Sequence, residues 1–274
     1  MRVLINGLEI LLPLLYFSTI WSYARAFFSN VKWAETYKTS LLVITIILHT
    51  TYITFRTIEF HHPPITSIFE ILSLIALTIA LVYTYIEIRT KNSSTGYFIL
   101  MFPFFFQLTS SIFIRELSYI PPILQSNLLG FHVSSAFLGY AAFTISAVYG
   151  FLYLMLYHDI KSKHFSVIYK RLPNLETLER MSFTATAFGF FLLTIAIVAG
   201  LIWLPRALGD FSYTDPKLLG TIAIWFTYAL GLAAKKAIGL QGKRMMVLSL
   251  LGFAVALVSM TIINMFFTGF HKFY

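Results

Sequence analysis

Histidine is the residue type in this chain that is best suited to chemistry. Seven histidines and no cysteine are present, which excludes disulfides, thiol redox relays and thiolate metal sites. His132 lies near the start of one apolar stretch, and His271 follows the last one. Neutral imidazoles can ligate a metal ion or both axial positions of a haem iron. We expect His132 and His271 at one membrane face, either as such a ligand pair or as two unrelated interfacial histidines.

Two further ionisable residues fall inside apolar stretches. An ionisable group within a membrane is costly and commonly functional. His49 is predicted either to bind an inner cofactor or to hydrogen-bond to a neighbouring helix. Glu70 could reach outward to water, pair with a cation such as Arg56, or bond to a ligand.

The segment 205–217 joins two apolar stretches and carries a turn-forming Gly209. Phe211 and Tyr213 alternate with small polar residues, which places both rings on one face of an extended segment. Asp215 followed by Pro216 predicts a helix start, with Asp as the N-cap. The segment is either an interfacial aromatic loop or an apolar platform against which a flat macrocycle lies.

The elements that must position these residues are membrane-spanning helices. Hydrophobic residues form 58% of the 274-residue chain and charged residues 11%, against about 25% charged in soluble domains. The apolar runs are continuous and each is near the ~20 residues that a helix needs to cross a bilayer. We therefore predict an all-α integral membrane protein, a bundle of about eight helices forming one domain over 1–274. The spans are 4–27, 41–55, 67–86, 97–114, 128–157, 182–204, 218–234 and 245–267, the second and seventh being the shortest.

The basic residues predict the orientation in the membrane. Of the 20 Lys and Arg, 14 fall in loops on one side of the predicted spans and the other 6 on the opposite side. The positive-inside rule then places both termini outside, in the plasma (bacterial inner) membrane. The charge of +9 is spread over several loops, which favours contact with the lipid bilayer over binding to nucleic acid.

These features leave three functional classes open. The first is the binding of a macrocycle at the outer face, and the second is a secondary transporter of a small solute. The third is a membrane regulator that docks a soluble enzyme through the basic loops 158–180 and 235–244. No paired carboxylates, nucleophile constellation or phosphate loop predicts catalysis by the chain alone.

Several short motifs resemble the membrane proteins of cytochrome c assembly, of the CcsA, CcmC and HemX types. These motifs cover most of the chain in the family's order: Pro64–Glu70, Gly130–Phe143, Gly200–Trp203, Asp215–Gly220, Leu240–Lys243 and Gly269–His271. The length, the eight spans and the outside termini are similar to the HemX type.

The resemblance implies a bound, non-covalent haem b. His132 and His271 match the family's two external histidines, which are taken as axial ligands of the iron. The family's tryptophan-rich loop corresponds to 208–215, where Gly209 and Asp215 remain but the three tryptophans are Leu208, Ser212 and Thr214. The resemblance also implies partners, which are either other cytochrome c assembly proteins or an enzyme of tetrapyrrole synthesis. It further implies that the chain could be a subunit of a haem-ligating cytochrome c synthase.

Overall fold

A computed structural model describes residues 1–114, 127–163, 165–207 and 214–259. Within these residues the chain is helical and contains no strand. The helices in chain order are α1 (Arg2–Ser29), α2 (Lys32–Phe60), α3 (Ile68–Thr90), α4 (Gly96–Phe113), α5 (Asn127–Lys161), α6 (Val167–Arg171), α7 (Leu175–Ala207), α8 (Pro216–Ile238) and α9 (Lys243–Val258).

Seven of these helices are long and apolar enough to cross a membrane: α1 to α5, α7 and α8. This result confirms the all-helical membrane class, because in hydrocarbon a helix satisfies all its own backbone groups. The eighth predicted span, 245–267, coincides with α9 only up to its described end, and 260–267 lie outside the described residues. The eighth crossing and the orientation of the termini therefore stay predictions.

The helices that carry the second and seventh predicted spans extend beyond those spans. The helix α2 has 29 residues and α8 has 23, whereas α4 has 18. The predicted second span, 41–55, lies between Lys38 and Arg56, and cations are costly in hydrocarbon. Both residues are buried in the structure and paired with carboxylates, so the helix continues through them.

The contacts of the described residues divide them into two compact units, the first formed by 1–114 and the second by the described residues from 127 to 259. In the first unit, α1 packs against α2 and α4, and α3 packs against α4 and α2. Ile5, Leu12 and Tyr52 form a buried apolar cluster between α1 and α2. The single domain expected from the sequence stays a prediction.

The second unit is built around the long contact between α5 and α7. A Cβ built at Gly189 would lie 3.0 Å from the Gly139 carbonyl oxygen and 2.7 Å from the Phe143 ring. The two helices therefore approach through glycine, as small residues allow inside membranes. Phe143 in turn stacks on Tyr228 of α8, with ring centroids 3.7 Å apart. This arrangement packs the middle of α5 against α7, with Phe143 in contact with α8.

Candidate functional site

His132 lies in the second turn of α5 and faces α7. Its Nδ1 is 2.6 Å from the carbonyl oxygen of Ala196. Because a carbonyl oxygen only accepts hydrogen bonds, Nδ1 must carry the hydrogen. In the neutral ring the lone pair then resides on Nε2, the nitrogen that could ligate a metal. The residue as a whole is partly exposed.

Asp215 begins α8 as the sequence predicts. Its Oδ1 accepts hydrogen bonds from the backbone N–H groups of Lys217 at 2.9 Å and Leu218 at 3.3 Å. Pro216 is the first helical residue, so the predicted N-cap is confirmed. Lys217, in the first turn of α8, interacts electrostatically with His132. The end of the 208–215 loop and His132 therefore lie in the same neighbourhood of the second unit.

Three other predicted site residues, His271, Phe211 and Tyr213, lie outside the described residues. Their roles in holding a haem stay predictions. Of the predicted second-unit residues, the structure describes His132 and Asp215.

Glu70 is the carboxylate of a buried ion pair in the first unit. Its Oε1 accepts from Arg56 Nη2 at 2.9 Å and Nε at 3.2 Å. Its Oε2 accepts from the backbone N–H of Thr66 at 2.8 Å and from the Thr66 hydroxyl at 2.7 Å. The two charged side chains are 5% and 2% exposed. Glu70 therefore forms the ion pair with Arg56, which is one of the three predicted alternatives. Contact between Glu70 and a ligand stays a prediction.

His49 is fully buried, and both of its ring nitrogens are hydrogen-bonded. Its Nε2 is 2.9 Å from the Ser73 hydroxyl, which itself donates to Gln107 Oε1 at 2.8 Å. Because the one hydroxyl hydrogen of Ser73 is used, Nε2–H of His49 must be the donor. Nδ1 then accepts from the Tyr16 hydroxyl at 2.9 Å. An iron bond to His49 would require the loss of one of these bonds, and its role in an inner site stays a prediction.

The chain of hydrogen bonds continues from His49 to the fourth helix and back to the first. Gln107 Nε2 donates to the Ser111 hydroxyl at 3.0 Å, and Ser111 donates to the Glu9 carbonyl oxygen at 2.7 Å. Sequence reasoning had singled out His49 but not these partners. The signal available in the sequence was a few polar residues scattered along each apolar helix, which does not reveal the pairing.

The second unit contains a hydroxyl cluster that sequence reasoning also missed. The Ser146 hydroxyl oxygen is 2.7 Å from that of Thr186 and 3.0 Å from those of Ser182 and Ser249. The cluster joins α5, α7 and α9 and is buried. Its oxygens contact one another directly, so it serves helix packing.

On the side predicted to be cytoplasmic, Glu179 ties the start of α7 to the segment after α8. Its Oε2 accepts from the backbone N–H of Gly242 at 3.0 Å, and its Oε1 is 3.5 Å from Lys235 Nζ. Lys235 also lies 4.1 Å from the centroid of the Phe183 ring. One of the cations that the regulator hypothesis assigned to a partner is therefore engaged within the chain.

Within the described ranges, no group of three or more His, Cys, Asp or Glu side chains could hold a metal ion. A metal bound through His132 would need further ligands from a cofactor or from other residues. A haem already supplies four nitrogen ligands to its iron, so the protein would have to supply only the axial ligands.

These features define a helical, multi-pass membrane protein that presents one orientated imidazole beside a capped helix start. The chain belongs to the cytochrome c assembly protein family, whose family model matches residues 8–271.

The chain is similar to proteins named CcsA and to a protein named HemX. It is 30% identical over 253 residues to "Cytochrome c biogenesis protein CcsA" of Guillardia theta, which covers 85% of this chain and 82% of that protein. It is 28% identical over 292 residues to the CcsA protein of Trieres chinensis, with 95% and 93% covered. It is 26% identical over 226 residues to "Protein HemX" of Brevibacillus brevis, with 80% of each covered.

Proposed function

We propose that this protein holds or passes a non-covalent haem b at the outer membrane face during cytochrome c assembly. His132 and His271 are the proposed axial ligands of the iron, and the loop 209–215 is proposed to cover the ring with Phe211 and Tyr213. The observation that carries the proposal is the 2.6 Å contact from His132 Nδ1 to the Ala196 carbonyl, because it leaves the lone pair on Nε2.

The tautomer of His132 supports its proposed role as a haem ligand. The ring tautomer of His132 matches a common pattern in which the metal takes one imidazole nitrogen and a carbonyl or carboxylate takes the other N–H. When bound, the haem would supply the iron chemistry, while the chain orients it and limits its ligands. Two imidazoles leave no open position on the iron.

The family and the distribution of basic residues support the proposed process and the proposed membrane location. The names of the relatives include cytochrome c biogenesis, which is the process proposed here. The bias of 14 basic residues against 6 supports a plasma-membrane protein with both termini outside. The proposed partners are other cytochrome c assembly proteins, or an enzyme of tetrapyrrole synthesis.

The test is a visible spectrum of the full chain, purified in mild detergent from haem-sufficient cells, oxidised and then reduced. We expect a sharp low-spin b-type spectrum that weakens in His132→Ala and in His271→Ala. His158→Ala, in the exposed last turn of α5, is the matched control and should keep the spectrum. A protein with no haem spectrum, even after hemin is added, would reject the proposal. A double variant lacking His132 and His271 that keeps full haem would reject the ligand assignment.

A further inference from the structure

The imidazole of His132 lies against a part of α7 that carries no side chain. A Cβ built at Gly200 would be 2.9 Å from both Nδ1 and Cε1 of His132, which is too close for a real contact. The ring edge therefore occupies the volume that any other residue at position 200 would fill. The three nearest atoms that such a Cβ would meet outside its own helix turn all belong to the His132 ring.

The carbonyl that holds the ring belongs to the same patch of α7. Ala196 is four residues before Gly200, so the two positions lie one above the other on one helix face. A helical side chain leans toward the N-terminus and covers the turn before its own Cα. A side chain at position 200 would therefore cover the Ala196 carbonyl. That oxygen accepts the helical N–H bond of α7 and has a second lone pair for Nδ1–H of His132.

We infer that Gly200 is a positioning residue for the haem ligand His132. Its missing side chain admits the ring and leaves the Ala196 carbonyl uncovered, which fixes the Nδ1–H tautomer and leaves the lone pair on Nε2. The inference rests on the proposed function, in which Nε2 binds the iron. Hydrogen bonds to the second nitrogen of a ligating histidine orient the ring and raise its basicity, and their loss costs about 10- to 100-fold in metal affinity.

The first test needs no variant of Gly200 and no haem. The haem-free full chain is labelled with ¹⁵N-histidine, and the His132 signals are assigned by their absence in His132→Gln. We expect Nδ1 to be protonated and Nε2 to be unprotonated at neutral to alkaline pH. A ring that carries its proton on Nε2 would overturn the inference while leaving haem binding itself open.

The second test compares Gly200→Ala and Gly200→Ser with Gly130→Ala. The serine hydroxyl can bond to the carbonyl four residues earlier, which would compete with His132 for Ala196. Gly130 is also helical, two residues from His132, and a Cβ there meets nothing within 4 Å. In hemin titrations we expect the dissociation constant to rise about tenfold or more for both Gly200 variants and to stay unchanged for Gly130→Ala. The midpoint potential should rise in the Gly200 variants, because the ligand becomes less basic.

A double-mutant cycle separates positioning from general damage. If Gly200 acts through His132, Gly200→Ala should have no further effect on hemin affinity in a chain that already carries His132→Ala. An equal loss in both backgrounds would show a structural role and overturn the inference. Wild-type affinity and potential in Gly200→Ala, together with loss of haem in His132→Ala, would also overturn it but leave the proposed function intact. Absence of haem from the wild type would instead reject the proposed function.

Discussion

At the scale of single residues, the buried imidazole of His49 in the first unit is held by directed hydrogen bonds. His49 donates to Ser73 and accepts from Tyr16, so its ring has one orientation and one tautomer. An unsatisfied polar group inside hydrocarbon is costly, and a fully satisfied network specifies how helices fit together. We conclude that His49 links α1, α2 and α3 in the unit's interior.

His49→Leu should lower the free energy of unfolding by about 1–3 kcal/mol, because Tyr16 and Ser73 would lose their buried partner. Thr50→Val is the matched control, since the Thr50 hydroxyl bonds to the Ile46 carbonyl of its own helix. The measurement is equilibrium unfolding in mixed micelles, followed by circular dichroism. Equal stability of the two variants would argue against the role of His49 in linking the helices.

The buried ion pair of Arg56 and Glu70 is a second feature at this scale, and its contribution to the free energy of unfolding can be measured. Glu70→Gln removes one charge and leaves the Arg56 guanidinium buried without its counter-charge, which costs about 3–5 kcal/mol in comparable pairs. Replacing both residues, as Arg56→Met with Glu70→Met, should recover much of that loss because no charge stays buried. Unfolding in mixed micelles checks both variants. A double variant that is less stable than Glu70→Gln alone would contradict this explanation.

At the scale of elements, the candidate site depends on where two helices begin. The helix α5 starts at Asn127 and places His132 in its second turn, while α8 starts at the Asp215 cap. An Asp cap satisfies backbone N–H groups that otherwise have no partner in the helix. The cap therefore holds Lys217 near His132.

Asp215→Ala should reduce stability by about 1 kcal/mol and loosen the start of α8. Asp215→Asn keeps a side-chain oxygen that caps equally well but removes the charge. We expect the asparagine variant to retain stability, and hemin titration of both variants then separates the cap from the carboxylate. If both variants lose stability to the same extent, the charge beside Lys217 is what matters and the capping explanation is wrong.

At the scale of the whole molecule, the bias of basic residues predicts which side each loop faces. The chain has no cysteine, so a single introduced cysteine reports on one loop without background. His61→Cys lies in an exposed position predicted to be outside, and Ser162→Cys lies in an exposed position predicted to be inside. A membrane-impermeant maleimide added to intact cells should label the first variant and reach the second only after lysis. The reverse pattern would invert the predicted topology.

The sequence alone determined the membrane class, the approximate positions of seven helices and the cap at Asp215. These properties follow from local patterns, namely long apolar runs and a capping residue before proline, and local patterns are visible in the chain order. The family's motifs also singled out His132, although its tautomer was not predictable.

Only the tertiary structure decided the partners of the buried polar residues. Which carbonyl meets His132, and which hydroxyls meet His49, depends on contacts between residues 64 and 33 positions apart in the chain. The burial of Arg56 within α2 was likewise not predictable, because it depends on the contact with Glu70. Burial makes such groups costly until a partner is supplied, and helix packing supplies that partner.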